Sequence, residues 1–171
     1  MRLIDYVNQG GSITWILVFM NIAGLTLILW RFWVLLDFKK NIGAAADVII
    51  GELKGKATGS ELYSLAKDYA AARIGELEYG MIMIRIIATI APLLGLLGTV
   101  VGIFEAFQVI AAKGLDNPGD FASGISLALI TTIAGLIVAI PHYIAHNVLS
   151  GQLDKLESNL EKDLLGKLAG K

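Results

Sequence analysis

Cysteine is absent from this 171-residue chain and proline occurs three times. Without a thiol there is no disulfide framework, no thiolate nucleophile and no Cys-based metal site; the compartment is left open. Charge is also scarce, at 17% of residues against roughly a quarter in an ordinary soluble domain. The 14 basic and 15 acidic residues leave a formal net charge of −1, so no overall field recruits nucleic acid or an anionic surface. There is no HExxH pair and no GxSxG elbow, hence no nucleophile with a plausible base, and the chain does not read as an enzyme or as a carrier of a cofactor. Internal repeats and low-complexity segments are missing too.

What fills the chain is apolar: 56% of residues are hydrophobic and mean hydropathy is +0.68. Three runs reach the length of about 20 residues that a helix needs to cross a bilayer core. An all-α membrane protein is therefore expected, with spans over 13–36, 86–112 and 121–149. Around them lie an N-terminal segment 1–12, a helical connecting region 37–85, a short loop 113–120 and a C-terminal helix 150–171. The first run follows a "GGS" turn, carries Trp15 at one end and Trp30 and Trp33 at the other, and is followed by "LLDFKK" with no small-x-small cleavage site, so it reads as a retained span.

Lys and Arg set the orientation, because positively charged loops stay cytoplasmic. Lys39, Lys40, Lys54, Lys56, Lys67, Arg73 and Arg85 fall between spans one and two, and Lys155, Lys162, Lys167 and Lys171 after span three. The opposite side holds only Arg2 and Lys113. The N-terminus is expected outside and the C-terminus inside, with helices two and three extended into the cytoplasm. In the inner region Gly51, Gly55 and Gly59 favour a turn, after which one helix is expected to run unbroken into span two. In the tail, Leu153, Leu156, Leu160, Leu164 and Leu168 recur at three and four, an apolar stripe to be covered by other helices of the chain or by a neighbouring copy. The outer connection "KGLDNPGDF" has turn composition.

Inside the spans, Gly95, Gly98, Gly102 and Glu105 are spaced at three, four and three, on one helix face. Gly124, Ala128, Thr132, Gly135 and Ala139 repeat similarly in span three. Lipid gives helices no hydrophobic reason to associate, so small residues mark where backbones approach closely. Thr99, Thr131 and Thr132 either bond to the carbonyls of their own preceding turns or line a polar path; spacing leaves both open. Pro92 and Pro141 are expected to kink their helices. His142 and His146 stand four apart with no Glu between them and no third ligand, so they read as interfacial anchors or subunit contacts, with no metal site expected.

The pair "APLLGLLGTVVGIFEAF" and "GISLALITTIAGLIVAIP" resembles the signature of the MotA/TolQ/ExbB proton-channel family, nearest to its ExbB and TolQ branches. The resemblance covers about residues 88–148. It implies a multi-pass protein of the bacterial inner membrane with a periplasmic N-terminus, five copies forming a ring, and a dimer of ExbD- or TolR-like single-span partners in the pore. Such a stator turns proton motive force into work on a TonB- or TolA-like protein. The resemblance also implies that Thr99 and Thr132 line the proton path, with Thr131 beside them. Where the pattern carries a glutamate, in the form "GIAEAL", this chain has Leu127. Glu105 is expected to compensate as an acidic ring near the outer mouth, on the premise that Thr99 and Thr132 lie at one depth. A family-like scaffold that conducts no protons is the alternative.

Overall fold

A computed structural model describes residues 3–53, 60–115 and 117–169. Every element in them is a helix: α1 (Leu3–Gln9), α2 (Gly11–Lys40), α3 (Ile42–Leu53), α4 (Ser60–Glu78), α5 (Met81–Lys113) and α6 (Pro118–Ala169). Of these α2, α5 and α6 are long and apolar enough to cross a membrane. Lys54, Gly55, Lys56 and Gly59 of the expected turn lie outside the described residues, as do Arg2, Asp116 and Lys171; Gly51 is inside α3. The helix α1 has no counterpart in the sequence reading.

Local chemistry sets the breaks. Gly10 N–H closes α1 on Tyr6 O at 3.0 Å, and Gly11 turns the chain at φ +63°, a conformation open mainly to glycine. Gly114 ends α5 in the same way, at φ +78° with its N–H on Ile110 O at 2.8 Å. Asn117 then caps α6 by accepting Gly119 N–H at 3.2 Å, with Pro118 at the first helical position, where a missing N–H costs nothing.

The chain forms two compact units, Met1–Thr26 with Met83–Ala145, and Leu27–Ile82 with His146–Lys171. In the first, α5 and α6 meet along small residues and the beginning of α2 packs on them through Leu17, which clusters with Ala91, Val138 and Ala139. A Cβ on Gly102 would stand 2.5 Å from Gly124 O and 2.7 Å from Ala128 N, both backbone atoms that cannot step aside.

In the second unit the leucine stripe is covered within the chain. Leu153, Leu156, Leu160 and Leu164 are all buried, as are Ala46, Ile49 and Leu53 of α3 and Ala66, Ala70 and Ile74 of α4. Burying one such leucine is worth about 2 kcal/mol. Ion pairs edge the bundle: Lys67 meets Glu161 at 3.5 Å, and Lys167 meets Asp47 at 2.7 Å and Asp163 at 3.4 Å. The hydrogen bond to Asp47 raises the pKa of Lys167 above its ordinary value; partial burial opposes the shift and Asp163 adds to it. A raised lysine contributes fully below its unfolded pKa of about 10.4, so the lysine's share of this tie is lost only in strong alkali.

The expected unbroken helix into span two is corrected here. It stops at Glu78, turns at Tyr79 and Gly80, and restarts at Met81. The reason is Arg31 of α2, whose guanidinium rests on the bare backbone of Gly80, where any Cβ would overlap it. Arg31 Nη1 donates to Leu77 O at 3.5 Å, placing a cation at the carbonyl end of α4, and its guanidinium lies 5.0 Å from the Trp30 ring centre.

Two outcomes are expected. Gly102→Ala, which must push two backbones apart, abolishes monodisperse elution of the detergent-extracted protein. Gly51→Ala and Gly151→Ala, with nothing within 4 Å of the new Cβ, leave it intact and gain up to about 1 kcal/mol. Gly80→Ala lowers the unfolding free energy by about 1 kcal/mol, and is silent in an Arg31→Met background because the group it displaces is gone.

Candidate functional site

The first unit carries the candidate residues on a frame set by the α5–α6 seam. A Cβ on Gly95 would meet Thr131 O at 2.9 Å, Thr132 Cα at 3.2 Å and Gly135 Cα at 3.3 Å, and one on Gly124 would meet Gly102 O and Ala106. Gly98 lies directly against the Thr131 side chain. The small residues read from the sequence, Gly95, Gly98, Gly102, Gly124, Ala128 and Gly135, therefore stand at this crossing, and Ala139 packs with Leu17, Ala91 and Val138.

The threonines divide. Thr131 is fully buried in the seam and donates to its own helix, to Leu127 O at 2.9 Å and Ala128 O at 3.0 Å. It has no open surface to offer a path. Thr132 and Thr99 are half-buried. Thr132 donates to Ala128 O at 3.2 Å and reaches across to Gly95 O at 3.4 Å, whereas Thr99 donates to Leu96 O. Since Thr132 is level with Gly95, Thr99 lies four residues, about 6 Å, further toward the Lys113 end of α5. The premise of one depth is thereby corrected.

Helical phase assigns the flanks. Ile87 and Leu94 pack toward α2, and Glu105 follows them by eighteen and eleven residues, close to whole numbers of turns. Leu127 precedes Ala134 and Val138 by seven and eleven, in the same cluster, and lies 3.7 Å from where a Cβ of Gly11 would be. Thus Glu105 and Leu127 share the α2 flank of the pair. Thr99 and Thr132 are turned from it by about 120° and 140°. Glu105 is exposed and stands about one turn beyond Gly102 toward Lys113, with Gly102 level with Gly124 and Ala128.

Pro92 and Pro141 both lie inside helices, each removing one backbone donor. His142 is not an interfacial anchor: it is buried against Gly24 of α2. No cluster of three metal-binding side chains occurs among the described residues. A groove of about 540 Å³ opens in the second unit between Trp30, Trp33, Phe38, Val48 and Arg73, and includes none of the candidate residues. Sequence reasoning missed Thr14, Leu17 and Gly24 as the packing face of α2; their spacing of three and seven was the available signal.

Residues 44–162 match the model of the MotA/TolQ/ExbB proton channel family. The chain is 38% identical over 106 residues to the biopolymer transport protein exbB1 of Vibrio cholerae, covering 59% of this chain and 46% of that one. It is 46% identical over 74 residues to the biopolymer transport protein ExbB of Aquifex aeolicus, covering 43% and 50%. A putative ExbB-like 1 protein of Helicobacter pylori is 27% identical over 157 residues, covering 82% and 83%. The chain thus spans about half the length of the first two relatives. With three membrane-length helices, paired glycine faces and a family match over most of its residues, the chain belongs to the MotA/TolQ/ExbB proton channel family.

Proposed function

We propose that this chain is the stationary, ring-forming subunit of a bacterial inner-membrane proton channel. Five copies surround an ExbD/TolR-like dimer of single-span proteins, and proton flow does work on a TonB/TolA-like envelope-spanning protein without turnover of a substrate. The N-terminus is periplasmic and the C-terminus cytoplasmic. The observation that carries the reading is the flank holding the half-buried hydroxyls of Thr99 and Thr132, on the side of the α5–α6 pair turned from α2. Hydroxyls there can exchange hydrogen bonds with a partner's carboxyl group as it gains and loses a proton. Crossing 100 mV yields about 2.3 kcal/mol per proton, enough to bias one helix position over another.

Glu105 fits a role at the mouth. Arg85 and Glu105 are both exposed on α5 and twenty residues apart, about 30 Å, one hydrocarbon thickness. Glu105 then stands at the outer boundary, on the flank of Leu127, and supplies the acidic ring that Leu127 does not. A second reading, a scaffold that assembles without conducting, is favoured by Leu127 itself.

Native mass spectrometry of the gently extracted complex is expected to give five copies with two of a small single-span protein, and Thr132→Val is expected to lower proton flux several-fold without changing that mass. Five copies with no companion and no proton flux would favour the scaffold, and flux indifferent to Thr132 would remove Thr132 from the pathway. Glu105→Gln should lower partner-dependent flux at neutral pH while the complex assembles normally; unaltered flux would remove Glu105 from the pathway.

A further inference from the structure

Within the unit built from the start of α2 with α5 and α6, one buried ionisable side chain is left with an unused polar atom. His142 is fully buried, its Nδ1 lies 2.7 Å from Val138 O, and its Nε2 has no hydrogen-bond partner. The ring is seated on Gly24 of α2, where any Cβ would overlap Nε2, and Ile87 of α5 closes the same place. Neutral imidazole has one N–H and one lone pair. The Val138 carbonyl can only accept, so the proton sits on Nδ1 and the lone pair on Nε2.

Among the described residues, neither ring nitrogen is paired with a charged group. The elements packed there present Gly24, Ile87 and a carbonyl. The nearest ionisable residues along those helices are Arg85, two before Ile87 and exposed; Tyr143, beside His142 and exposed; His146; and Arg31, seven beyond Gly24. No Asp or Glu occurs on α6 between Asp120 and Asp154.

We propose that Nε2 of His142 is a proton-accepting site that unseats α2 from α6 when it is filled. The proton comes from water and forms an N–H bond at the free lone pair; the Nδ1–H bond is kept and the ring gains one positive charge. That charge has no counter-ion bonded to the ring, and the new donor has no acceptor within hydrogen-bond distance. Burying an unpaired charge is costly enough that α2 yields or water enters. The inference does not depend on the chain conducting protons.

The test uses the full chain in membranes. With His146→Asn, His142 is the only histidine, and ring ¹⁵N NMR reads its tautomer without altering it. A protonated Nδ1 with a bare Nε2 is expected at mildly alkaline pH; a proton on Nε2 there would overturn the proposal. For the consequence, Leu17→Cys supplies the only thiol, at a position 1% exposed. Its labelling rate by a membrane-permeant maleimide is compared with the same cysteine in a His142→Phe background, which cancels the pH dependence of the thiol. The ratio is expected near one at mildly alkaline pH and several-fold higher at about pH 5, where an accessible histidine is charged. A ratio that stays near one throughout would also overturn it.

Discussion

Where Gly102 meets Gly124, each backbone lies so near the other that a Cβ on either would reach a carbonyl oxygen at 2.5 Å. The same closeness recurs at Gly95 and Gly135, so the contact is a line and not a point. In lipid this is the interaction available to two apolar helices, because tails solvate leucine as well as another leucine does. Each glycine costs about 1 kcal/mol of helix propensity, and dispersion across a close crossing offsets it. The crossing then dictates phase. With Gly98 facing Thr131, the residues next to the seam must open to one flank or the other.

The two units rest on different driving forces. Along the α5–α6 seam the packing residues are Gly, Ala and Thr, and large side chains such as Leu93, Leu97, Phe104 and Ile137 are exposed. Among α3, α4 and the later part of α6 the buried positions are chiefly leucine, isoleucine and alanine, with lysine–carboxylate pairs at the edge. The first pattern suits a solvent of hydrocarbon and the second a solvent of water. Glycine serves both units by absence of a side chain: Gly24 admits an imidazole and Gly80 a guanidinium.

How much of this could be read beforehand follows from whether the signal is local. Three long apolar helices, the glycine face of α5, its answering face on α6 and the leucine stripe were legible, because each is a period within one segment. The seven residues of α1 were too few to carry a period. The break at Tyr79 and Gly80 was not legible either, since "ELEYGMIM" contains no strong breaker and its cause is Arg31, far away in sequence. Thr131 and Thr132 are adjacent and chemically identical; only the phase set by Gly98 sends one into the seam and leaves the other half open. The burial of His142 likewise depends on Gly24, more than a hundred residues earlier.

The absence of a carboxylate at position 127 has a physical setting in this chain. Leu127 is half-buried, on the flank that α2 occupies, and Gly11 approaches it at the first residue of that helix. Its backbone carbonyl already accepts from Thr131. A glutamate placed there would press an ionised group against an apolar contact between α2 and α6, where desolvation opposes charge. About one turn further toward Lys113 and across the seam, Glu105 is exposed, with α5 continuing eight residues to Lys113. A carboxylate at position 105 therefore keeps its charge at an exposed place on the same flank, whereas one at position 127 would meet the packing at the head of α2.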